Sequence, residues 1–168
     1  MTDSPMRQPR AESGLLLGVA ALVYLADRLT KAWVVANIDL GEQIPVLGDF
    51  IQLWHTENQG AAFGLLQGGG VLFVAIGLIT LLAIGWVHVT GRLRGGPAAV
   101  LLGLVLGGTL GNLTDRLLDG SVPDFVSVGI GTLRWPTFNV ADASVVVGIL
   151  GLVIFLSVLD RRAAASAA

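Results

Sequence analysis

The chain has no cysteine, only two histidines, and few charges: 13% of its 168 residues are Asp, Glu, Lys or Arg. Without cysteine, thiol chemistry, disulfides and cysteine-ligated metals are excluded. A water-soluble protein carries about a quarter of its residues as charges, so this chain is not built to face water over most of its surface. The basic residues are scattered, the formal net charge is -2, and no basic arm or stripe is present, which speaks against a nucleic-acid partner. Glycine-rich pieces such as "GGTLG" are not followed by a phosphate-loop lysine, so no nucleotide site is indicated. His55 and His88 fall in different parts of the chain, and a histidine-carboxylate metal site is poorly supported. No metal and no organic cofactor is called for. No internal repeat is visible.

What the chain has in excess is apolar residues, 54% of the total, with a mean hydropathy of +0.77. Four stretches approach the length of about 20 residues needed to cross a bilayer: roughly 14–36, 70–89, 97–118 and 141–159. The expected fold is therefore an α-helical integral membrane protein of four transmembrane helices, one domain over residues 1–168. Reading the first stretch as a cleavable signal sequence is disfavoured, because Asp27, Arg28 and Lys31 interrupt its end. Arg7, Arg10, Arg92, Arg94, Arg161 and Arg162 all fall on one side of this arrangement. Both termini are thus expected in the cytoplasm. The first outer loop, about 37–69, contains "EQIPVLGDFIQLWHT", in which Gly48 and Asp49 suit a hairpin turn. It predicts a small extracytoplasmic β element on the membrane surface. Its alternation sets Phe50, Gln52, Trp54 and Thr56 against Ile51, Leu53 and His55, with Trp54 at headgroup level.

Polar residues within or beside the spans are informative, because ionisable groups in an apolar layer are costly and usually face a partner or a cavity. With the orientation above, Asp27 and Lys31, Asn58, then Asn112, Asp115 and Arg116, and finally Asn139 and Asp142 all converge on the outer leaflet. Asp27 and Lys31, four residues apart, share a helical face; they form either a simple ion pair or part of a site. Asn112, Asp115 and Arg116 share another face, as a structural clasp or as a holder of carboxylates or a carbonyl. In "NQGAAFG", the small residues Gly60, Ala61, Ala62 and Gly64 allow close helix packing or leave room for an extended peptide. Asp124 in "VPDF" and Asp142 in "FNVAD" have no obvious cation of their own. Brought together, two such carboxylates share one proton and activate water. Alternatively, Asp142 only caps the fourth helix. Intramembrane polar groups also build ion pathways, but nothing ionisable continues a path through the inner halves of the spans.

The motifs "DRLTK", "ENQGAAFG", "GGTLGNLTDR", "VPDF" and "FNVAD", in this order from about residue 15 to 159, resemble those of the lipoprotein signal peptidase (signal peptidase II) family of bacterial membrane aspartic peptidases. The resemblance implies removal of the signal peptide from diacylglyceryl-modified prolipoproteins by cleavage before the lipid-bearing cysteine. It implies Asp124 and Asp142 as the catalytic dyad, and Asp27, Lys31, Asn58, Gly60, Asn112, Arg116 and Asn139 as residues supporting the dyad and the substrate. By the same match Asp115 is structural. Implied partners are prolipoproteins and membrane lipids, and the protein is expected to act as a monomer in the bacterial cytoplasmic membrane, with the β element covering the site. One departure is Pro123, where the family has a simple apolar residue; proline fixes φ and removes a backbone donor beside Asp124.

Overall fold

The computed structural model describes residues 8–60 and 69–167. Its elements are α1 (Gln8–Asn37), β1 (Gln43–Leu47), β2 (Ile51–Asn58), α2 (Gly69–Thr90), α3 (Gly96–Leu118), β3 (Val122–Ile130), β4 (Leu133–Arg134) and α4 (Val140–Ala167). The four helices coincide with the four apolar stretches and run somewhat beyond them. Each is long and apolar enough to cross a membrane. Leu22, Leu29, Val71, Leu82 and Ile154 point outward from them, a surface suited to lipid and not to water.

Helix α3 is the centre of the bundle. Some 56% of its apolar stretch is buried, against 17% or less in the other three, and it lies against α1, α2 and α4. Small residues make this possible: α1 lies against α3 at Gly103 and Gly107, and α4 at Gly108. A first core, Leu16, Ile84, Ala99, Leu102 and Val105, fills the end of the bundle nearer the α2–α3 loop. There Ser13 Oγ and His88 Nε2 lie 2.8 Å apart, linking α1 to α2. The second core, Val34, Ile38 and Phe125, joins the last turns of α1 to the sheet.

The strands form one antiparallel sheet in the order β1-β2-β3-β4 at the opposite end of the bundle. The β1–β2 hairpin expected around Gly48 and Asp49 is present. The connection from α3 to α4 supplies β3 and β4 as well, so the sheet draws on both connections at this end. Asp49 ties the two hairpin tips together, accepting from Gly131 N and from Arg134 Nη1 at 3.3 Å. The simple alternation expected along β2 does not hold. A register shift against β3 between Leu53 and Thr56 places Gln52 and His55 both inside, although they are three residues apart. His55 is anchored there by Nδ1, which donates to Ile38 O at 2.8 Å. Trp54 is half-buried and faces a cleft described below.

Candidate active site

Between the two cores lies a polar network built from α1, α3, α4 and the sheet. Its anchor is Lys31 Nζ, which donates to Asp27 Oδ2 at 2.7 Å, to Asp115 Oδ2 at 2.6 Å and to Asn112 Oδ1 at 2.9 Å. All three protons of the ammonium are used, and Lys31, Asp27 and Asp115 are almost wholly buried. The ion pair expected within α1 is thus also a junction to α3. Asp115 is closed from its other side by Arg28, a residue to which its place in "DRLTK" assigned no role. Asp27 uses its second oxygen on α4, accepting from Ala141 N at 2.9 Å. A carboxylate on α1 therefore satisfies one of the free N–H groups that begin α4.

Gly111 makes room for that reach. A Cβ on Gly111 would stand 2.5 Å from Asp27 Oδ2, and Asp27 has nowhere to retreat because Lys31 and Ala141 hold it.

The start of α4 is a capping box. Asn139 Oδ1 accepts from Asp142 N at 2.9 Å, and Asp142 Oδ2 accepts from Asn139 N at 3.1 Å. The helix-capping alternative for Asp142 is thus realised, with Asn139 as the cap and Asp142 reciprocating. The other oxygen of Asp142, Oδ1, accepts from Asn112 Nδ2 at 2.8 Å.

Asp124 arrives from the sheet. It lies on β3 opposite Thr56 of β2, its carboxylate buried. Its Oδ1 accepts from Asn139 Nδ2 at 2.7 Å and its Oδ2 from Asn58 Nδ2 at 2.9 Å. Each of the four oxygens of Asp124 and Asp142 therefore takes one N–H from an amide. Asn139 serves both residues, from its side chain to one and from its backbone to the other.

The three asparagines are oriented by groups that can only donate. Asn58 Oδ1 accepts from Gly60 N at 2.9 Å, Asn112 Oδ1 from Lys31 and Asn139 Oδ1 from Asp142 N. In each case the amide oxygen is committed, so the NH2 end is turned to an aspartate. Gly60 makes its contact with φ at +85°, a backbone conformation natural to glycine. Ala61, Ala62 and Gly64, expected to allow close helix packing or to leave room for a peptide, lie outside the described residues.

Electrostatically the two acids differ. Burial, and after it the charge of Asp142, push the carboxyl of Asp124 up to about 7 from 3.8, against the pull of its bonds from Asn58 and Asn139. Asp142 instead occupies the third position of a helix N-terminus, where negative charge is favoured. Pro123, second residue of β3, is near a strand end, where proline is tolerated. Its carbonyl faces Asn139 Nδ2 at 3.5 Å.

Two openings meet here. One, of about 390 Å³, runs between α2, α3 and α4 and is lined by Phe73, Ile76, Val146 and Ile149, with Asp142, Asn112 and Arg116 in its wall. Arg116 lies over the Phe73 ring, 4.9 Å from its centroid, and donates to Asn112 O at 3.3 Å. Its buried Nε has no hydrogen-bond partner among the described residues. The other opening, of about 880 Å³, lies on the sheet side and reaches Asp124. Asn58 lines both. Among the described residues, no three His, Cys, Asp or Glu side chains are grouped to hold a metal.

Residues expected from the sequence at this site and described by the structure all lie in this network or its walls. Those the sequence did not reveal are Arg28, Gly111, the Ala141 backbone and a hydroxyl pair, Thr56 Oγ1 and Thr137 Oγ1, 2.8 Å apart beside the Asp124 backbone.

Comparison with known proteins gives a consistent answer. The family model described as Signal peptidase (SPase) II matches residues 19–158. A lipoprotein signal peptidase of Syntrophus aciditrophicus is 39% identical over 145 residues, 83% of this chain and 90% of that one. One from Halalkalibacterium halodurans is 38% identical over 146 residues, covering 87% and 93%. Two solved structures of a bacterial membrane enzyme, obtained in meso at 2.3 and 1.9 Å resolution, are 30% and 31% identical with TM-scores of 0.77 and 0.78. Each match covers 85% of this chain, and 87% and 92% of theirs.

Proposed function

The chain belongs to the signal peptidase II family, and we propose that it removes signal peptides from diacylglyceryl-modified prolipoproteins, cutting before the lipid-bearing cysteine with Asp124, Asp142 and one water. The observation that supports this most directly is the joint support of the two carboxylates by Asn139. Two acids from distant stretches are held by one residue, with no cation among the described residues bonded to either, so that one proton is shared between them.

In this reading Asp124 holds the proton at rest and Asp142 the charge. Asp142 takes a proton from water as the water oxygen attacks the scissile carbonyl carbon. Asp124 gives its proton to the carbonyl oxygen, so that a neutral tetrahedral intermediate forms. Collapse returns a proton to Asp124 from one hydroxyl, while Asp142 passes its proton to the departing cysteine nitrogen. The C–N bond breaks, leaving a carboxylic acid on the signal peptide and a free amine on the lipoprotein. Arg116, with donors to spare in the wall of the inter-helix opening, holds a substrate carbonyl.

In this reading it is a multi-pass protein of the bacterial cytoplasmic membrane with both termini inside. The supporting feature is that Arg92, Arg94, Arg161 and Arg162 are all at the end away from the sheet. The site then stands near the outer leaflet, at the depth where a lipid-bearing cysteine presents its scissile bond. The inter-helix opening takes the signal helix and acyl chains.

The test is cleavage of a diacylated prolipoprotein peptide by purified protein and by Asp124→Asn and Asp142→Asn. Each substitution is expected to abolish cleavage while the protein still folds in detergent. Substantial activity in either variant would count against the dyad.

A further inference from the structure

Four carboxylates, Asp27, Asp115, Asp124 and Asp142, belong to the polar network, and among the described residues three cations serve it. Lys31 and Arg28 bond to Asp115, and Arg116 stands where the charges of Asp142, Asp124 and Asp115 all reach it. With every group ionised the network would carry one negative charge, which is costly to bury in an apolar layer. One proton makes it neutral, and one is the number that the peptidase reading gives to Asp124 and Asp142 together. Lys31 and Arg116 were expected in the site from the sequence; Arg28 was not.

Arg28 reaches the network from its rim, with 34% of its side chain exposed. Its Nη1 donates to Asp115 Oδ1, while Asp115 Oδ2 accepts from Lys31 at 2.6 Å. Each oxygen of Asp115 thus has its own cation. The division matters because Lys31 has three protons and three acceptors: Asp27, Asp115 and Asn112. Two carboxylates against one ammonium would leave this junction negative. Arg28 offsets the second carboxylate, so that Lys31 can spend a proton on the neutral oxygen of Asn112, whose NH2 reaches Asp142 at 2.8 Å.

We propose that Arg28 is a positioning residue for the dyad, a cation that offsets Asp115 so that the network is neutral with a single shared proton and Lys31 stays on Asn112. The inference rests on the peptidase reading above and adds to it a residue that touches neither acid. Asp124 is where the effect is read. It is faced by Asp142 of α4, Lys31 of α1 and Arg116 of α3, and bonded to the neutral amides of Asn58 and Asn139. Glu57 of β2 and Arg134 of β4 border the cleft on its sheet side. Burial and then Asp142 raise the carboxyl of Asp124, while the two amides and the charge of Lys31 pull it back. Without Arg28, the negative charge of Asp115 cancels part of that pull, and Asp124 keeps its proton to higher pH.

The experiment measures kcat/KM for a diacylated prolipoprotein peptide against pH in wild type, Arg28→Gln, Arg28→Lys and the double variant Arg28→Gln with Asp115→Asn. Arg28→Gln is expected to move the decline at high pH upward by roughly half a unit and to lower kcat about tenfold with KM little changed. Arg28→Lys keeps the charge, and the double variant removes charge and counter-charge together, so both are expected to decline where wild type does. A merely structural Arg28 would lower the rate without moving that limb. An unmoved limb in Arg28→Gln, or a limb displaced in Arg28→Lys or the double variant, overturns the proposal and leaves the peptidase reading standing. If Arg28→Gln does not fold in detergent, the other two variants decide, and failure of either to fold with the wild-type limb overturns the proposal. No cleavage by wild type at any pH overturns the peptidase reading, and the proposal with it.

Discussion

Lys31 holds the side-chain oxygen of Asn112 at 2.9 Å, and this contact decides which end of that amide faces Asp142. An ammonium has protons to give and no lone pair, so Asn112 is left to present its NH2 to the carboxylate. Lys31 thereby acts on Asp142 without touching it. Replacement by Met removes the orientation and strands Asp27 and Asp115, both buried, without their common partner. Breaking buried pairs in this way costs about 3–5 kcal/mol. Lys31→Met is expected to unfold at clearly lower temperature in detergent and to lose most peptide cleavage. An unchanged melting curve would remove Lys31 from the centre of the network.

Asn139 has two separable duties, and substitution can divide them. Serine is also a good helix cap, so Asn139→Ser keeps the bond to Asp142 N but loses the amide that reaches Asp124. Asn139→Ala loses both. Melting is expected near wild type for Ser and lower by about 1 kcal/mol for Ala, with cleavage strongly reduced in both. Full activity in Asn139→Ser would show that the bridge to Asp124 is dispensable.

The carboxyl of Asp124, pushed up to about 7, makes stability and rate depend on pH. Between the ordinary aspartate value and about 7, the folded protein holds a proton that the unfolded chain has released. Stability therefore falls as pH rises through that window and levels above it. Asp124→Asn is expected to flatten this slope in melting measurements. If the shared proton is needed for cleavage, kcat/KM declines above about pH 7. A wild-type rate still rising past pH 8 would contradict the placement of the proton.

Two glycines should resist substitution for different reasons. Gly111→Ala sets a methyl group against the held carboxylate of Asp27, an overpacking expected to cost about 1–3 kcal/mol. Gly60→Ala places a Cβ at φ of +85°, costing about 1–2 kcal/mol, and loosens the N–H that orients Asn58. Both should lower kcat more than they raise KM, because the disturbed groups face the carboxylates. A change confined to KM would point to substrate contact instead.

The membrane helices were legible because hydropathy over twenty residues is a local signal, and the polar network of the candidate site was legible because Asp27, Lys31, Asp115 and Asp142 are rare types for such segments. The identity of the network's members came through; their roles did not. That Asp27 of α1 caps α4, or that Lys31 joins α1 to α3, depends on which helices lie side by side, and spacing along one helix cannot report it. Strands β3 and β4 escaped for a related reason. β3 pairs with β2 across more than sixty residues of intervening chain, and "VPDFVSVGI" opens with proline in second place and carries glycine near its end, weak strand signals taken alone. The shift between Leu53 and Thr56 likewise put His55 on an inner face that strict alternation along β2 does not allow.

The dependence on three asparagine amides has a consequence for how the protein ages. Hydrolysis of any of them to aspartate would replace a donor by an acceptor and set a third acid against Asp124 or Asp142. The residues that follow, Gln59, Leu113 and Val140, are not glycine, the neighbour that most readily lets its own backbone nitrogen attack a side-chain amide. Helix and cap geometry further hold Asn112 and Asn139 away from that cyclisation. The parts most exposed to slow chemical damage are thus set in sequence and backbone contexts that retard it.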